Sequence, residues 1–243
     1  MSILNYDGNL VIWSPLEYHE ETFTKAVNLL VGEGSSYQVK YVIAINNEHN
    51  LYAHQYKEKF GAKIIACDKA KLKNNVEVDH KVTESLLDMV IRGDLWQEKL
   101  GISDYYFKDN LEMICMKSHV TNDVELFEKN THTLYVGDLI INLGAPGTTT
   151  GQVELEQYSE ATGYYKGYNP HGWLSFPTRY LQPRSAVGSY LANYFAQTKS
   201  PEGAESIRTI CQWDFSKIVV THGNVIEKEG KDDFKKLFSS VFT

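Results

Sequence analysis

The stretch His119–Leu143, HVTNDVELFEKNTHTLYVGDLIINL, holds the residues whose types and spacing could do chemistry. His119 precedes an alternating run (Val120, Val124, Leu126), which leads into a polar turn at Glu128–Asn130 and a second β-rich run, Thr133–Val136. Glu-Lys-Asn between two such runs predicts a short hairpin connection. The second run ends on Gly137-Asp138, where the glycine lets the backbone turn before the apolar Leu139-Ile140-Ile141. Two strands therefore deliver one imidazole and one carboxylate. A carboxylate set among apolar neighbours is costly unless something positive compensates it. A metal ion would do so, and so would an arginine or a histidine. Much later, the apolar Lys217–Val220 runs directly into Thr221-His222-Gly223, which places a second imidazole at a strand end.

The elements that must position these groups can be read along the chain. Leu10–Trp13 is a short strand after the turn Tyr6-Asp7-Gly8-Asn9. Ser14, Pro15 and Glu17 form a capping box that predicts a helix to about Leu30. Val39–Ile45 is apolar and β-branched and empties into the polar loop Asn46-Asn47-Glu48-His49-Asn50. A helix from about Leu51 to Phe60, stopped by Gly61, and a strand Ala62–Cys67 follow. Strand, helix and strand at this spacing predict a βαβ unit with a parallel pair, and open α/β sheets collect their sites at the carboxyl edge. Lys69–Leu100 is polar and helix-rich, with Thr83–Ile91 as an amphipathic piece and His80 exposed or locally hydrogen-bonded. Leu111–Met116 is the strand that delivers Ser118-His119. Gly144–Gly151 is a loop by composition, and the following stretch to about Ser206 is rich in Tyr, Trp and Pro. A helix lies at Val187–Phe195, with Val187, Leu191 and Tyr194 at helical spacing, and Lys231–Phe238 closes the chain.

The whole chain sets bounds. Its 243 residues suit one α/β domain, 1–243, and no linker composition divides it. Sixteen Tyr, ten Phe and four Trp supply large core-filling groups. The net charge of −7, with no Lys/Arg run longer than two, argues against nucleic acid as a partner. No stretch approaches the roughly 20 apolar residues of a membrane span, and the N-terminus lacks a basic start followed by a long apolar region. A soluble, cytoplasmic protein is expected, acting on a small-molecule substrate or ligand. Cys67, Cys115 and Cys211 are odd in number and far apart, which fits buried thiols in a reducing compartment better than a disulfide framework.

His119, Gly137-Asp138 and Thr221-His222-Gly223, in that order and with hydrophobic strands before two of them, resemble the metallo-β-lactamase superfamily. The resemblance implies an αββα sandwich of two mixed β-sheets flanked by helices; a doubly wound single sheet is the alternative. It also implies a helical, aromatic cover at about 144–206, with Tyr164, Tyr165, Tyr168, His171 and Trp173 as pocket-wall candidates. The superfamily's H-x-H-x-D-H motif falls on Asn47, His49, Leu51 and Tyr52, so the chain reads N-x-H-x-L-Y. One metal position then keeps His49 and His119 with Asp138 as a bridge; the other keeps Asp138 and His222. Leu51 offers no donor atom. Glu48 reads as a solvated loop carboxylate, and His54 as a surface histidine on its helix. A divergent branch of the superfamily with a similarly eroded first motif is the nearest match of pattern.

Three functions follow as expectations from the resemblance. The first is a hydrolase with one divalent metal ion, zinc by its imidazole and carboxylate ligands, or else iron or manganese. His49, His119, Asp138 and His222 would hold it, Asp138 and His222 would serve catalysis, and the substrate would be a small ester, lactone or thioester. The second is a metal-free binding or scaffolding protein in which His119, Asp138 and His222 form a hydrogen-bonded cluster. The third, a two-iron redox protein, needs both positions filled, and Leu51-Tyr52 opposes it. Four retained ligand-type residues weigh toward the first.

Overall fold

The computed structural model describes residues 1–68, 70, 72–143, 160–165, 168 and 175–243. The chain forms two compact units, Met1–Leu111 and Glu112–Thr243, each built on one mixed sheet with helices packed on it.

In the first unit, β1 (Ser2–Tyr6) and β2 (Asn9–Trp13) form an antiparallel hairpin. Its two turn residues, Asp7 and Gly8, both have positive φ, 53° and 83°, as a tight Asp-Gly hairpin turn requires. β1 has no apolar alternation to announce it, and the sequence pattern begins only at β2. β2, β3 (Gln38–Ala44), β4 (Lys63–Cys67) and β5 (His80–Val82) then run parallel, in the order β1-β2-β3-β4-β5. Strands covered on both faces read as continuous apolar runs, as Val-Ile-Ala in β3 and Ile-Ile-Ala-Cys in β4 do.

On one face lie α1 (Glu20–Val31) and α2 (Ala53–Phe60). They set Phe23, Val27, Ala53 and Tyr56 against Leu10, Ile12, Val42 and Ile64. Tyr18, Phe23, Tyr56 and Phe60 form an aromatic cluster here, Phe23 and Phe60 with ring centroids 5.4 Å apart. Trp96 from α3 (Leu95–Leu100) and Phe107 from α4 (Tyr105–Asn110) are fully buried and meet edge to face at 4.7 Å. Phe107 also packs on Tyr41 of β3, and the Trp96 indole N–H donates to the Leu111 carbonyl at 2.9 Å.

Two local expectations fail in this unit. Ser14 does not cap a helix: it has φ 51°, and its N–H donates to the Ile43 carbonyl at 3.1 Å, so the chain leaves the sheet extended and α1 begins at Glu20. Thr83–Ile91 is not a helix either. One 3₁₀ turn, Glu84–Leu86, forms there, and Asp88 interrupts it with φ 60°. His80 lies in β5, buried, with Nδ1 2.6 Å from the Leu100 carbonyl oxygen.

In the second unit the sheet order is β6 (Leu111–Cys115), β7 (Val124–Glu128), β8 (Thr133–Asn142) and β9 (Lys217–Gly223). β6 starts on the last residue of the first unit. β7 and β8 are the expected antiparallel hairpin, and β9 joins β8 in parallel. The Glu128 carboxylate holds the turn by accepting from the Thr131 N–H at 2.8 Å and the Thr131 hydroxyl at 2.6 Å. Helices α5 (Ser175–Thr178), α6 (Ala186–Phe195), α7 (Pro201–Gln212) and α8 (Gly230–Leu237) complete the unit. Ser185 and Ser200 cap α6 and α7 by accepting from Gly188 N–H and Gly203 N–H, the latter with Pro201 in the first turn.

The inward face of α6 is one residue away from the expected stripe. Val187 and Tyr194 are exposed, while Ala192 is buried and Gly188 packs where a side chain would strike the Gln182 backbone. Small residues let the helix sit close. Of the cover aromatics, Tyr164 and Tyr168 stack at 4.8 Å and Tyr165 meets Tyr168 edge-on at 5.2 Å. His171 and Trp173 lie outside the described residues. Among the described residues no helix is long and apolar enough to cross a membrane.

Phe23 is the ring shared by α1 and the aromatic cluster. Phe23→Ala is expected to cost about 3–5 kcal/mol of stability, read as a lower denaturant midpoint with an unchanged slope.

Candidate metal centre

The candidate site of the second unit grows from a break in the pairing of β8 with β9. Val136 stands opposite Val220, yet the next pair is Ile141 with His222, so residues 137–140 face Thr221 alone. Bulges of this kind leave backbone groups without ladder partners and re-aim side chains. Side chains take over here. The Thr221 hydroxyl donates to the Val136 carbonyl at 3.1 Å, and the Leu139 N–H donates to Asp123 Oδ2 at 3.0 Å. Asp138 therefore sits inside a long, bulged strand and not at a strand end. Gly137 is needed for room and not for a turn, since its φ is ordinary and an added Cβ would lie 2.7 Å from the Asp123 carboxyl carbon. Gly223 answers to both demands, with φ 111° and the Asn142 backbone in the place of a Cβ.

The bulge brings Asp138 to His222. Asp138 Oδ1 and His222 Nε2 are 3.0 Å apart, with the carboxylate side chain 15% exposed and the imidazole 42%. A carboxylate can only accept, so Nε2 carries the proton of this bond. Beside them, Asp138, Leu139 and Ile141 line a cleft closed by Leu191, Ala192 and Phe195 of α6.

His119 is buried and faces a different partner. Its Nδ1 lies 3.0 Å from the Thr121 hydroxyl, and its Nε2 is buried without a hydrogen bond. Burial holds its pKa below the ordinary histidine value, against the pull of the Asp123 and Asp138 carboxylates, so the ring is neutral near pH 7. Within this unit, among the described residues, no three His, Cys, Asp or Glu side chains bring ligand atoms within 4.8 Å of one another. Asp138 and His222 thus meet as a pair, and the expected three-membered cluster with His119 does not close. Cys115 is buried in β6, its thiol donating to the Asn122 carbonyl at 3.7 Å.

Two acidic groups that the sequence reading passed over lie at the base of this arrangement. Asp123 and Glu125, successive same-face residues around the start of β7, are both fully buried. Period-2 alternation would place them on a solvated face, yet every residue of β7 is buried. Desolvation raises the Glu125 pKa well above the ordinary glutamate value; the Asp123 and Asp138 charges and a hydrogen bond to Asp123 add to the rise, and the Gly137 amide opposes it.

His49 belongs to the first unit, in the loop after β3. Asn46, buried, organises that loop by accepting from the Glu48 N–H at 2.9 Å and the His49 N–H at 2.8 Å through Oδ1. Glu48 is exposed as expected. Leu51 is half exposed, and Tyr52 is the residue before α2, its ring under Lys73 Nζ at 5.7 Å. His54 differs from its expected surface position: α2 turns it inward, 6% exposed, with Nδ1 unpartnered.

No protein-family model matches the chain, and no curated protein does. Solved structures do match. Over 98% of this chain and 84% of the other, it is similar to a metallo-β-lactamase from Hirschia baltica, with a TM-score of 0.53 at 9% identity. The chain has the metallo-β-lactamase fold. A metallo-β-lactamase from Pontibacter korlensis is also similar, covering 99% of this chain and 86% of that one at 10% identity with a TM-score of 0.49. In a metallo-β-lactamase fold a divalent metal is the implied group, and the residues here fit one. Oxygen and imidazole donors at 3.0 Å compare with an edge of about 3.4 Å around a tetrahedral zinc ion. The Asp123 and Asp138 carboxylates bias this interior toward a cation.

Because the folded-state pKa of Glu125 is raised, its contribution is fully present below the ordinary glutamate value and is lost as pH rises through the raised one. In Glu125→Gln the denaturant midpoint should fall less steeply on the alkaline side than in the native chain. Parallel curves from pH 5 to 10 would refute a protonated Glu125.

Proposed function

We propose that this chain is a metal-dependent hydrolase that uses one divalent cation, zinc by the chemistry of its donors, on a small substrate with an ester, lactone or thioester carbonyl. The observation that carries the reading is the Asp138–His222 pair, an oxygen and a nitrogen ligand atom 3.0 Å apart beside a cleft. The third ligand in this reading is His49, assigned by its place in the N-x-H-x-L-Y motif. When bound, the cation would supply Lewis-acid activation of a water or carbonyl oxygen.

The remaining work falls to the chain's own groups. In the metal-free state the His222 Nε2–H donates to Asp138, and to hold a cation His222 would present Nε2 unprotonated, as the Nδ1–H tautomer. His119, neutral and with Nε2 unpartnered, is assigned to proton transfer and not to the ligand shell, because its nitrogen does not close on the Asp138–His222 pair. The apolar wall of Leu191, Ala192 and Phe195 leaves a cleft of about 10 Å³, room for a water beside the Asp138–His222 pair and not for a substrate's carbon skeleton.

A metal-free binding module is the second reading, favoured by one observation: Asp138 already has His222 as a compensating partner. Elemental analysis of untagged protein, prepared without chelator, separates the two. The hydrolase reading expects about one zinc, iron or manganese per chain, lost in Asp138→Ala, His222→Ala and His49→Ala but retained in His119→Ala. No metal after reconstitution, with an unchanged melting temperature, overturns it.

A further inference from the structure

The buried acids Asp123 and Glu125 have no role in the reading above, and their geometry gives them one. Asp138 is flanked by Gly137 and Leu139, and Asp123 touches both neighbours. Its carboxyl group fills the space beside Gly137, and its Oδ2 accepts the Leu139 N–H at 3.0 Å, beyond the last β7–β8 pair, Leu126 with Tyr135. The chain on either side of Asp138 is thereby fixed from below, at a place where the sheet ladder does not fix it. We propose that Asp123, buttressed by Glu125, is the positioning residue of this site, holding residues 137 and 139 so that the Asp138 carboxylate is aimed at His222.

Glu125 explains how a fully buried Asp123 is tolerated. The groups that Glu125 faces are the Asp123 carboxyl group and the Gly137 amide. Two adjacent carboxylates in a dry interior cannot both ionise, so one proton is shared and Glu125 acts as the donor. Asp123 is met by the Leu139 amide on one side and the Glu125 acid on the other. A glutamine at 125 can make the same donation; a leucine cannot.

The positioning role stands on geometry alone, while its value for cation binding rests on the proposed hydrolase reading, so the test uses metal-free protein. The side-chain ¹⁵N spectrum of His222, assigned with His222→Gln, reports its hydrogen bond to Asp138 directly. A native signal of a hydrogen-bonded Nε2–H is expected, retained in Glu125→Gln and lost toward a free imidazole in Asp123→Ala. Glu125→Leu should weaken it without abolishing the fold. A folded Asp123→Ala protein with the native His222 signal overturns the proposal. Should Asp123→Ala not fold, Glu125→Leu carries the decision, and a native His222 signal there overturns the proposal. If a cation is bound as well, Asp123→Ala is expected to lower its affinity about 10–100-fold. A chain that takes up no metal but shows the predicted His222 changes sinks the hydrolase reading and leaves this one standing.

Discussion

A backbone in the middle of a sheet must find partners for every N–H and C=O, and β8 fails to find them in β9 across residues 137–140. That deficit governs the second unit. The Val136 carbonyl is met by the Thr221 hydroxyl and, on the β7 side beyond the Leu126–Tyr135 pair, the Leu139 amide is met by the Asp123 carboxylate, so two side chains stand in for ladder bonds. Each replacement fixes a residue type nearby. Asp123 must come close, so position 137 can only be glycine. β9 must rejoin β8 at Ile141–His222 and Asn142–Gly223 against the Asn142 backbone, so position 223 must be glycine too. The Gly-Asp and His-Gly pairs of the sequence are thus two sides of one pairing defect, and the Asp138–His222 contact is its product.

The electrostatic consequence is an interior more acidic than a core normally tolerates. Asp123, Glu125 and the mostly buried Asp138 interact with one another, and the described groups that answer them are backbone amides, a shared proton and imidazoles. An unpaired buried carboxylate costs several kcal/mol, which exceeds the net worth of an ordinary hydrogen bond. Neutralising Glu125 is the cheaper outcome. His119 follows the opposite logic: the same carboxylates favour its cationic form, yet burial outweighs them and the ring stays neutral. A neutral imidazole with one unpartnered nitrogen can accept a proton or a ligand; a cationic one could do neither.

Local pattern carried most of the architecture. β3, α2, β4, the β7–β8 hairpin, α6, β9 and α8 all lie where apolar runs, turn residues and helix stops place them, because each meets its neighbours through ordinary periodicity. The misses have a common cause in pairing that a local window does not contain. Ser14 looks like a cap until its amide is drawn to Ile43, and β5 is too short and polar to stand out before β4 recruits it. In the site, Asp138 and His222 were legible as a separated pair. The bulge that joins them was not, since it depends on how β8 and β9 register across some eighty residues of chain. Asp123 and Glu125 were invisible for a sharper reason: alternation with Val124 and Leu126 is the signature of a strand with one wet face, and β7 has none.

The first unit bears on how many cations the proposed reading allows. Where the superfamily's motif would place ligands, the loop after β3 is held by Asn46, whose Oδ1 accepts two successive amides, and by Asn50, whose side-chain amide donates to the Asn47 carbonyl at 2.9 Å. A loop closed by its own side chains needs no ion to hold its shape. Leu51 points to solvent and Tyr52 is engaged under Lys73. Neither side chain leaves a vacancy that a second cation would fill, and leucine could not bind one in any conformation. On the proposed hydrolase reading, the donors left in this loop support one ion at most, and the proton carrier that reading needs would be His119, whose ring burial keeps neutral.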